Sequence, residues 1–185
     1  MELLLGKERA LQIREELKSN LANLERKLKL VCLVNKNDAS SVGYCASQAK
    51  LASTLGIDYE LVEMEQTLEA YQNEIKRINE DDNIDGCLIT RPLDKSLNEE
   101  YIISLLNPIK DVDAMNATSL GELFINKLDA IKPATPRAIL ELLKAYIVLP
   151  NLLLYSFYTI AYKLSIDVLW LLSTKSPPIK KCTEG

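Results

Sequence analysis

The sequence predicts an α/β fold: a three-layer sandwich with a mostly parallel sheet, organised like a Rossmann domain. Three observations lead to this prediction. A short, nearly continuous apolar run rich in β-branched residues occurs at residues 30–35, and residues 57–62 and 84–89 are also predicted to be strands. Segments with the apolar spacing of helices separate these strands, and most have a recognisable start or stop signal. Strands that alternate with helices form βαβ units, in which the strands run parallel.

The composition is typical of a globular chain and excludes several function classes. Of its 185 residues, 48% are hydrophobic and 26% are charged, enough for a domain with a good core. The net charge of -4 argues against nucleic acid as the main partner, because phosphate binding needs a basic face. The chain has no histidine, which excludes histidine acid–base chemistry, Ser-His or Cys-His nucleophiles and histidine-ligated zinc.

The cysteines and the first residues indicate a reducing compartment. The four cysteines are widely spaced and form no C-x-x-C motif, which favours free thiols over a disulfide framework or a metal site. Cys32 and Cys87 lie in apolar runs and are predicted to be core residues. Residues 1–8 are acidic, and their apolar run is too short for a signal peptide. We therefore expect a cytoplasmic protein without a bound metal.

The first predicted helix, strand and second helix follow one another directly. Residues 7–28 are predicted to be helical, because leucines and isoleucines recur at steps of three and four between charges. The nearly continuous apolar run at 30–35 predicts a buried central strand. A polar loop then leads into a helix at 41–55, with Gly56 at the position that ends it.

The next elements repeat this pattern. Residues 57–62 are predicted to form a second strand and residues 67–79 a helix with one apolar stripe. The polar residues 81–83 break that helix before a third strand at 84–89.

Helix signals continue in the second half of the chain. Ser96-Leu-Asn-Glu99 has the spacing of a capping box and predicts a helix, which Pro108 ends. The secondary structure of residues 121–131 is ambiguous from the sequence. Thr135-Pro136 predicts a further helix start, since a capping residue is followed by proline in the first turn.

The character of the sequence changes at residue 147. Residues 147–162 contain no charge and no clean period, and the apolar run continues to 172 before a polar tail. A membrane helix, a core segment and non-native sequence from a reading-frame error are the open interpretations. Pro150, Lys163 and Asp167 interrupt an apolar span and count against the membrane helix.

A ligand cleft is predicted beyond the carboxyl ends of the strands, where parallel sheets bind their ligands. Loops 35–44 and 90–94 leave such ends, and loop 110–116 follows one helix later. The residues predicted to line the cleft are Tyr44, Gln48, Arg91, Pro92, Asp111 and Asp113.

The charged loop has two interpretations. In an extended conformation Asp111 and Asp113 share one face, so a carboxylate there can accept hydrogen bonds from a ligand ring. Lys110 can keep its neighbouring carboxylate ionised. The alternative is a solvated charged turn, which is common on protein surfaces.

Six short motifs occur in an order that resembles one family, the methylenetetrahydrofolate dehydrogenase/methenyltetrahydrofolate cyclohydrolases. The resemblance covers roughly residues 1–146, which corresponds to that family's folate-binding domain. The motifs are Leu5-Gly6-Lys7-Glu8, Asn37-Asp-Ala-Ser-Ser41-Val-Gly-Tyr44, Asn83-Ile-Asp-Gly86, Arg91-Pro92-Leu93, Asn107-Pro-Ile-Lys-Asp-Val-Asp113 and Pro133-Ala-Thr-Pro136.

This resemblance implies two α/β domains with the folate bound between them. It also implies oxidation of 5,10-methylenetetrahydrofolate by NADP or NAD, followed by hydrolysis of the methenyl product. Tyr44 resembles the tyrosine that stacks on the folate ring, and Asp113 the aspartate that anchors the pterin. The family's homodimer normally involves the second domain, so we assume no dimer for this chain. The substrate-binding residues implied are Tyr44, Thr90, Arg91, Pro92, Leu93 and Asp113.

Several positions depart from the family pattern. Gln48 stands where the family has a lysine, Thr90 where it has a glutamine, and Ala114 where it has a glycine. Hydrolysis needs proton transfer, and a glutamine amide cannot titrate, so we expect the cyclohydrolase activity to be weak or absent. Arg91 is either a surface charge or a partner for the acidic tail of a folate.

The family's second domain is not recognisable. Dinucleotide binding needs glycines where the backbone approaches the pyrophosphate, and no glycine occurs between Gly121 and Gly185. We expect 1–146 to be the folate-binding catalytic domain and 147–185 to be a remnant or non-native tail in place of the NAD(P) domain. Such a chain would not bind NADP. The alternatives are an inactive folate-binding remnant and a module anchored in a membrane by 147–172.

Overall fold

A parallel sheet of three strands, in the order β2-β1-β3, organises the chain. The structure is a computed structural model that describes residues 6–146, and the boundary between its two compact units falls between Pro133 and Ala134. The interpretations of 147–172 and of the tail lie outside the described residues. The helices and strands are α1 (Gly6–Ala22), β1 (Lys29–Asn35), α2 (Ala39–Leu55), β2 (Asp58–Met64), α3 (Leu68–Glu80), β3 (Gly86–Ile89), α4 (Glu99–Ser104), a short 3₁₀ helix (Pro108–Lys110), α5 (Ala117–Phe124) and, in the second unit, α6 (Ala134–Tyr146).

The sheet is covered on both faces, which confirms the predicted α/β sandwich. β1 lies in the middle and pairs with β2 from Lys29 to Asn35 and with β3 from Leu30 to Leu33. Side chains alternate across a strand, so β1 contributes to two separate cores. Val31 and Leu33 pack with α3 and α4, whereas Cys32 and Val34 pack with Cys45 of α2.

Two predicted boundaries are confirmed by their end residues. Gly56 ends α2 in the left-handed conformation, with φ 79°, and its N–H donates to carbonyls of the last turn. Thr67 caps α3 by accepting a hydrogen bond from the N–H of Ala70. The predicted start of α6 is also close to the observed one, but the helix begins at Ala134, so Thr135 lies inside its first turn instead of capping it.

Other boundaries differ from prediction because side-chain contacts that the local pattern does not show decide them. α1 ends at Ala22 instead of residue 28. Beyond this end, Arg26 forms a bidentate salt bridge with Asp85, with hydrogen bonds of 2.7 and 2.8 Å. The cap of α4 is Asn98, not Ser96, whose hydroxyl donates to the Asp94 carboxylate at 2.7 Å.

The last helices of the first unit are also shifted. α4 already ends at Ser104, and Pro108 opens the 3₁₀ helix instead of terminating α4. The helix α5 ends at Phe124 and so covers the start of the ambiguous stretch 121–131, and Asn116 caps this helix by accepting from the N–H of Thr118.

Candidate functional site

Three loops meet at the carboxyl end of the sheet. One joins β1 to α2, and a second leaves the end of β3. The third, 110–113, is held beside β3 by a parallel bridge between Cys87 and Asp111, with the N–H of Val112 3.4 Å from the carbonyl of Cys87. This is the cleft position that the sequence predicts.

α2 brings Tyr44 and Gln48 to this edge. Asp38 starts the helix by accepting from the N–H of Ser41 at 2.9 Å, which sets the direction in which the first turns point. Tyr44 and Gln48 are four residues apart and therefore lie on one face. Tyr44 is 51% exposed, and Gln48 is half-buried beside it.

Tyr44, Gln48 and Asp113 are gathered into one cluster. Partial burial raises the pKa of the Tyr44 phenol, and the negative charge of Asp113 raises it further. A hydrogen bond with the Gln48 side chain acts on this pKa in the opposite direction. The phenol thus has an amide and a carboxylate in its neighbourhood, while about half of the Tyr44 side chain stays exposed.

Asp111 and Lys110 serve the fold. Asp111 is only 4% exposed, and its carboxylate accepts from the N–H of Asn116 at 2.7 Å and from the hydroxyl of Ser119 at 3.3 Å. The ammonium of Lys110 points away, to carbonyls at the end of α3. The prediction that Lys110 keeps its neighbouring carboxylate ionised is therefore wrong. Asp111 instead anchors the segment that presents Asp113.

The loop after β3 divides into inward and outward residues. Thr90 is buried, and its hydroxyl donates to the carbonyl of Leu33 at 3.1 Å, while Leu93 packs in the core. Arg91 and Pro92, joined by a cis peptide bond, are exposed. Of the expected substrate residues in this loop, Arg91 and Pro92 face the cleft side and Thr90 supports the loop. Their roles toward a ligand stay predictions.

Arg91 contacts residues of three separate segments. The sequence did not predict these contacts. Its carbonyl accepts from the hydroxyl of Ser41 at 3.4 Å. Its guanidinium lies 3.4 Å from the carboxylate of Glu99 and 3.8 Å from the sulfur of Met115. These partners are far apart in sequence and no local pattern marks them.

A thiol pair lies beneath the cluster. The sulfur atoms of Cys32 and Cys45 are 3.1 Å apart and fully buried, close to the hydroxyl of Tyr59. Burial raises the pKa of Cys32 to about 12, so its thiol is protonated at neutral pH. Cys32 is a core residue, as predicted, and Cys45 joins it through helix–sheet packing.

The described residues do not fit a dinucleotide. Gly6 is the first residue of α1, Gly43 and Gly121 lie inside helices, Gly56 ends α2, and Gly86 begins β3. Within residues 6–146 none of these forms a glycine loop before a helix, and the start of α2 is already occupied by the Asp38 carboxylate. The same residues contain no group of three or more metal-ligating side chains and no helix long and apolar enough to cross a membrane.

Comparison with known proteins gives one consistent relationship. A family model described as the tetrahydrofolate dehydrogenase/cyclohydrolase catalytic domain matches residues 4–113. The "Bifunctional protein FolD" of Staphylococcus aureus strain MRSA252 is 35% identical over 148 residues, covering 77% of this chain and 51% of that protein. The chain thus spans about half the length of the curated relatives it matches.

Solved structures give the same relationship. A 5,10-methylenetetrahydrofolate dehydrogenase from the silkworm Bombyx mori superposes with a TM-score of 0.75 at 30% identity, covering 80% of this chain and 52% of that one. The dehydrogenase-cyclohydrolase of Trypanosoma brucei, solved with NADP and an inhibitor, gives 0.71 at 28% identity, covering 76% and 50%. Both similarities extend over most of this chain and about half of the relative.

Proposed function

Because the chain belongs to the tetrahydrofolate dehydrogenase/cyclohydrolase family, we propose that residues 1–146 are the folate-binding catalytic half of a 5,10-methylenetetrahydrofolate dehydrogenase. The reaction belongs to one-carbon folate metabolism and is an oxidation by NADP or NAD. The observation that carries the proposal is the cluster of Tyr44, Gln48 and Asp113 at the carboxyl end of the parallel sheet.

The cluster suits a flat heterocycle with N–H groups along one edge. The half-exposed ring of Tyr44 offers a face on which a pterin can stack. The carboxylate of Asp113 can accept hydrogen bonds from the pterin's amino and ring N–H groups. Asp113 is held two residues beyond the buried Asp111, which restricts where its carboxylate can point.

The part played by these residues is binding and orientation. Hydride transfer from the methylene carbon needs the folate held in one position, and no protein group has to transfer a proton. NADP or NAD would supply the hydride acceptor, but residues 6–146 do not fit a dinucleotide. This chain's described residues therefore account for the folate half of the site.

Gln48 is the reason to propose weak or absent cyclohydrolase activity. Hydrolysis of the methenyl bridge needs water activation and proton transfer, to which a positioned acid or base contributes on the order of 10²–10⁴-fold. The amide of Gln48 neither gains nor loses a proton at neutral pH, and it lies beside the Tyr44 phenol. A folate bound there would be oriented but not hydrolysed.

The test uses Gln48→Lys, with Gln48→Met as the matched control. The rate of 5,10-methenyltetrahydrofolate hydrolysis is followed by the loss of its absorbance, an assay that needs no nucleotide. We expect Gln48→Lys to raise the enzymatic rate roughly 10- to 100-fold and Gln48→Met to leave it at the background. A wild-type rate that neither change alters would contradict the assigned role of Gln48.

Folate binding is measured separately by calorimetry with tetrahydrofolate. Tyr44→Ala and Asp113→Ala should each weaken binding by about 1–3 kcal/mol, because one removes the stacking face and the other the pterin acceptor. Wild-type protein that binds no folate at millimolar concentration would overturn the proposed function.

A folate-binding module without turnover is the second candidate. It is favoured by the lack of glycine between Gly121 and Gly185 and by the poor fit of residues 6–146 to a dinucleotide. Folate binding without oxidation, in the presence of NADP and then NAD, would select this candidate. A membrane-anchored module through 147–172 and a cytoplasmic location both stay predictions, and solubility without detergent tests the former.

A further inference from the structure

We infer that Arg91 is a specificity-determining residue that binds the carboxylates of the folate's glutamate tail. This assignment rests on the folate-binding function proposed above and adds a subsite to it. A folate carries, beyond its ring system, a benzoyl-glutamate tail whose carboxylates are ionised at neutral pH. A second cluster with positive charge should therefore lie beside the ring-binding cluster.

Arg91 has the right position. Its backbone adjoins the first turn of α2, where Ser41 donates to its carbonyl, and Tyr44 follows one turn later. Its guanidinium contacts Met115, two residues beyond Asp113. A ring held between Tyr44 and Asp113 would thus have Arg91 at its border, on the exposed side of the loop.

Arg91 also retains donors for a ligand, in contrast to two other arginines of the first unit. Arg26 forms two short hydrogen bonds to Asp85, and Arg77 pairs with Glu74 at 2.6 Å and Glu60 at 2.8 Å. Arg91 has a single 3.4 Å contact with Glu99 and a weak contact with sulfur. A guanidinium has five N–H donors in a planar arrangement, so Arg91 can still bind a carboxylate through two parallel hydrogen bonds.

The position of Glu99 indicates what limits the affinity of this subsite for a tail carboxylate. Its carboxylate is 37% exposed and lies beside the guanidinium, which is 35% exposed. An incoming tail carboxylate must share or replace this contact, so Glu99 opposes tail binding by like charge. Longer tails bring more carboxylates within reach of Arg91 and should compete better.

The experiment compares tetrahydrofolate carrying one glutamate with tetrahydrofolate carrying three, using calorimetry on the 185-residue chain at low and physiological salt. In the wild-type protein we expect the triglutamate to bind roughly three- to tenfold more tightly. Arg91→Leu should bring this ratio close to one, and Arg91→Lys should leave an intermediate ratio because a lysine lacks the planar fork. Glu99→Gln should tighten the binding of both folates, because it removes the carboxylate that competes for Arg91.

Lys95→Met is the matched control, since it removes the same charge from an exposed position in the same loop. We expect it to change the ratio little. Equal losses in Arg91→Leu and Lys95→Met would overturn the inference, because they would indicate a diffuse field and not a site. Wild-type protein that binds both folates equally would also overturn it while leaving the proposed function intact. Failure to bind either folate would instead reject the proposed function on which it rests.

Discussion

Lys110 illustrates, at the scale of one residue, how a charge expected in a ligand site can stabilise the fold instead. The residue is 9% exposed, and its ammonium donates to the carbonyls of Ile78 at 2.6 Å and Asp81 at 2.8 Å. These carbonyls lie at the end of α3, where a helix leaves its last acceptors unsatisfied and carries partial negative charge. Lys110 therefore satisfies carbonyls at the end of α3 from a position 29 to 32 residues later in the chain.

Replacing this ammonium tests the assignment. Lys110→Met keeps the aliphatic stem but leaves buried carbonyls unpaired, so the free energy of unfolding should fall by about 1–3 kcal/mol. Urea unfolding followed by circular dichroism measures this. Lys76→Met is the control, since Lys76 pairs with Glu80 only at 3.9 Å on the surface and its loss should cost under about 0.5 kcal/mol. Equal stability of the two variants would contradict the buried role of Lys110.

At the scale of elements, the junction of β3 with segment 110–113 positions the candidate site. Gly86 begins β3, and a Cβ at this position would collide with Cγ1 of Val112. The missing Cβ leaves room for the Val112 side chain, which belongs to the segment that carries Asp113. The glycine is thus required by the close approach of this side chain and not by an unusual backbone angle.

A pair of substitutions tests whether the collision with Val112 is what requires glycine at position 86. Gly86→Ala should push Val112 outward, lowering the free energy of unfolding by about 1–3 kcal/mol and weakening tetrahydrofolate binding. Adding Val112→Ala removes the colliding methyl groups and should recover most of both losses. Urea unfolding and calorimetry measure the two quantities. If the double variant is as impaired as Gly86→Ala alone, the collision with Val112 is not the cause.

At the scale of the whole first unit, Asp85 joins parts that are distant in sequence. Its carboxylate accepts two hydrogen bonds from Arg26 and a third from the N–H of Lys29 at 2.8 Å. The Arg26 side chain lowers the pKa of Asp85 below its ordinary value, and the Lys29 N–H adds to this effect. These bonds tie the segment after α1 to the start of the sheet.

The lowered pKa predicts how stability depends on pH. A carboxylate whose pKa is lower in the folded state stabilises the fold above its unfolded-state value of about 4, and this contribution is lost as the pH falls through the folded-state pKa. Asp85→Asn should therefore reduce the free energy of unfolding by about 0.5–1 kcal/mol at pH 7, a value that allows for solvent screening. The deficit should shrink as the pH falls below about 4 and the Asp85 carboxylate becomes protonated.

Urea unfolding of both proteins between pH 7 and pH 2 measures this difference. Arg26→Met should reproduce the loss of pH dependence, and the double variant should add little to either change alone. A deficit that stays constant down to pH 2 would mean that packing, and not the charge of Asp85, accounts for it.

The order of strands and helices, the end of α2 at Gly56, the buried strand β1 and the family motifs could be predicted from the sequence alone. These features depend on side-chain period and turn chemistry over a few neighbouring residues, which can be read without the fold. It also placed Tyr44 and Gln48 on one helix face, because they are four residues apart.

Only the tertiary structure decided which residues serve the site and which support it. The choice of Asn98 over Ser96 as a cap and the inward role of Asp111 depend on partners a few residues away, which several local patterns could have supplied. The strand order β2-β1-β3 and the inward direction of the Lys110 ammonium depend on partners distant in sequence. The meeting of Arg91 with Glu99 and Met115 is of the same kind. Burial and pairing of a charge are set by what packs around it, and residues far along the chain supply those neighbours.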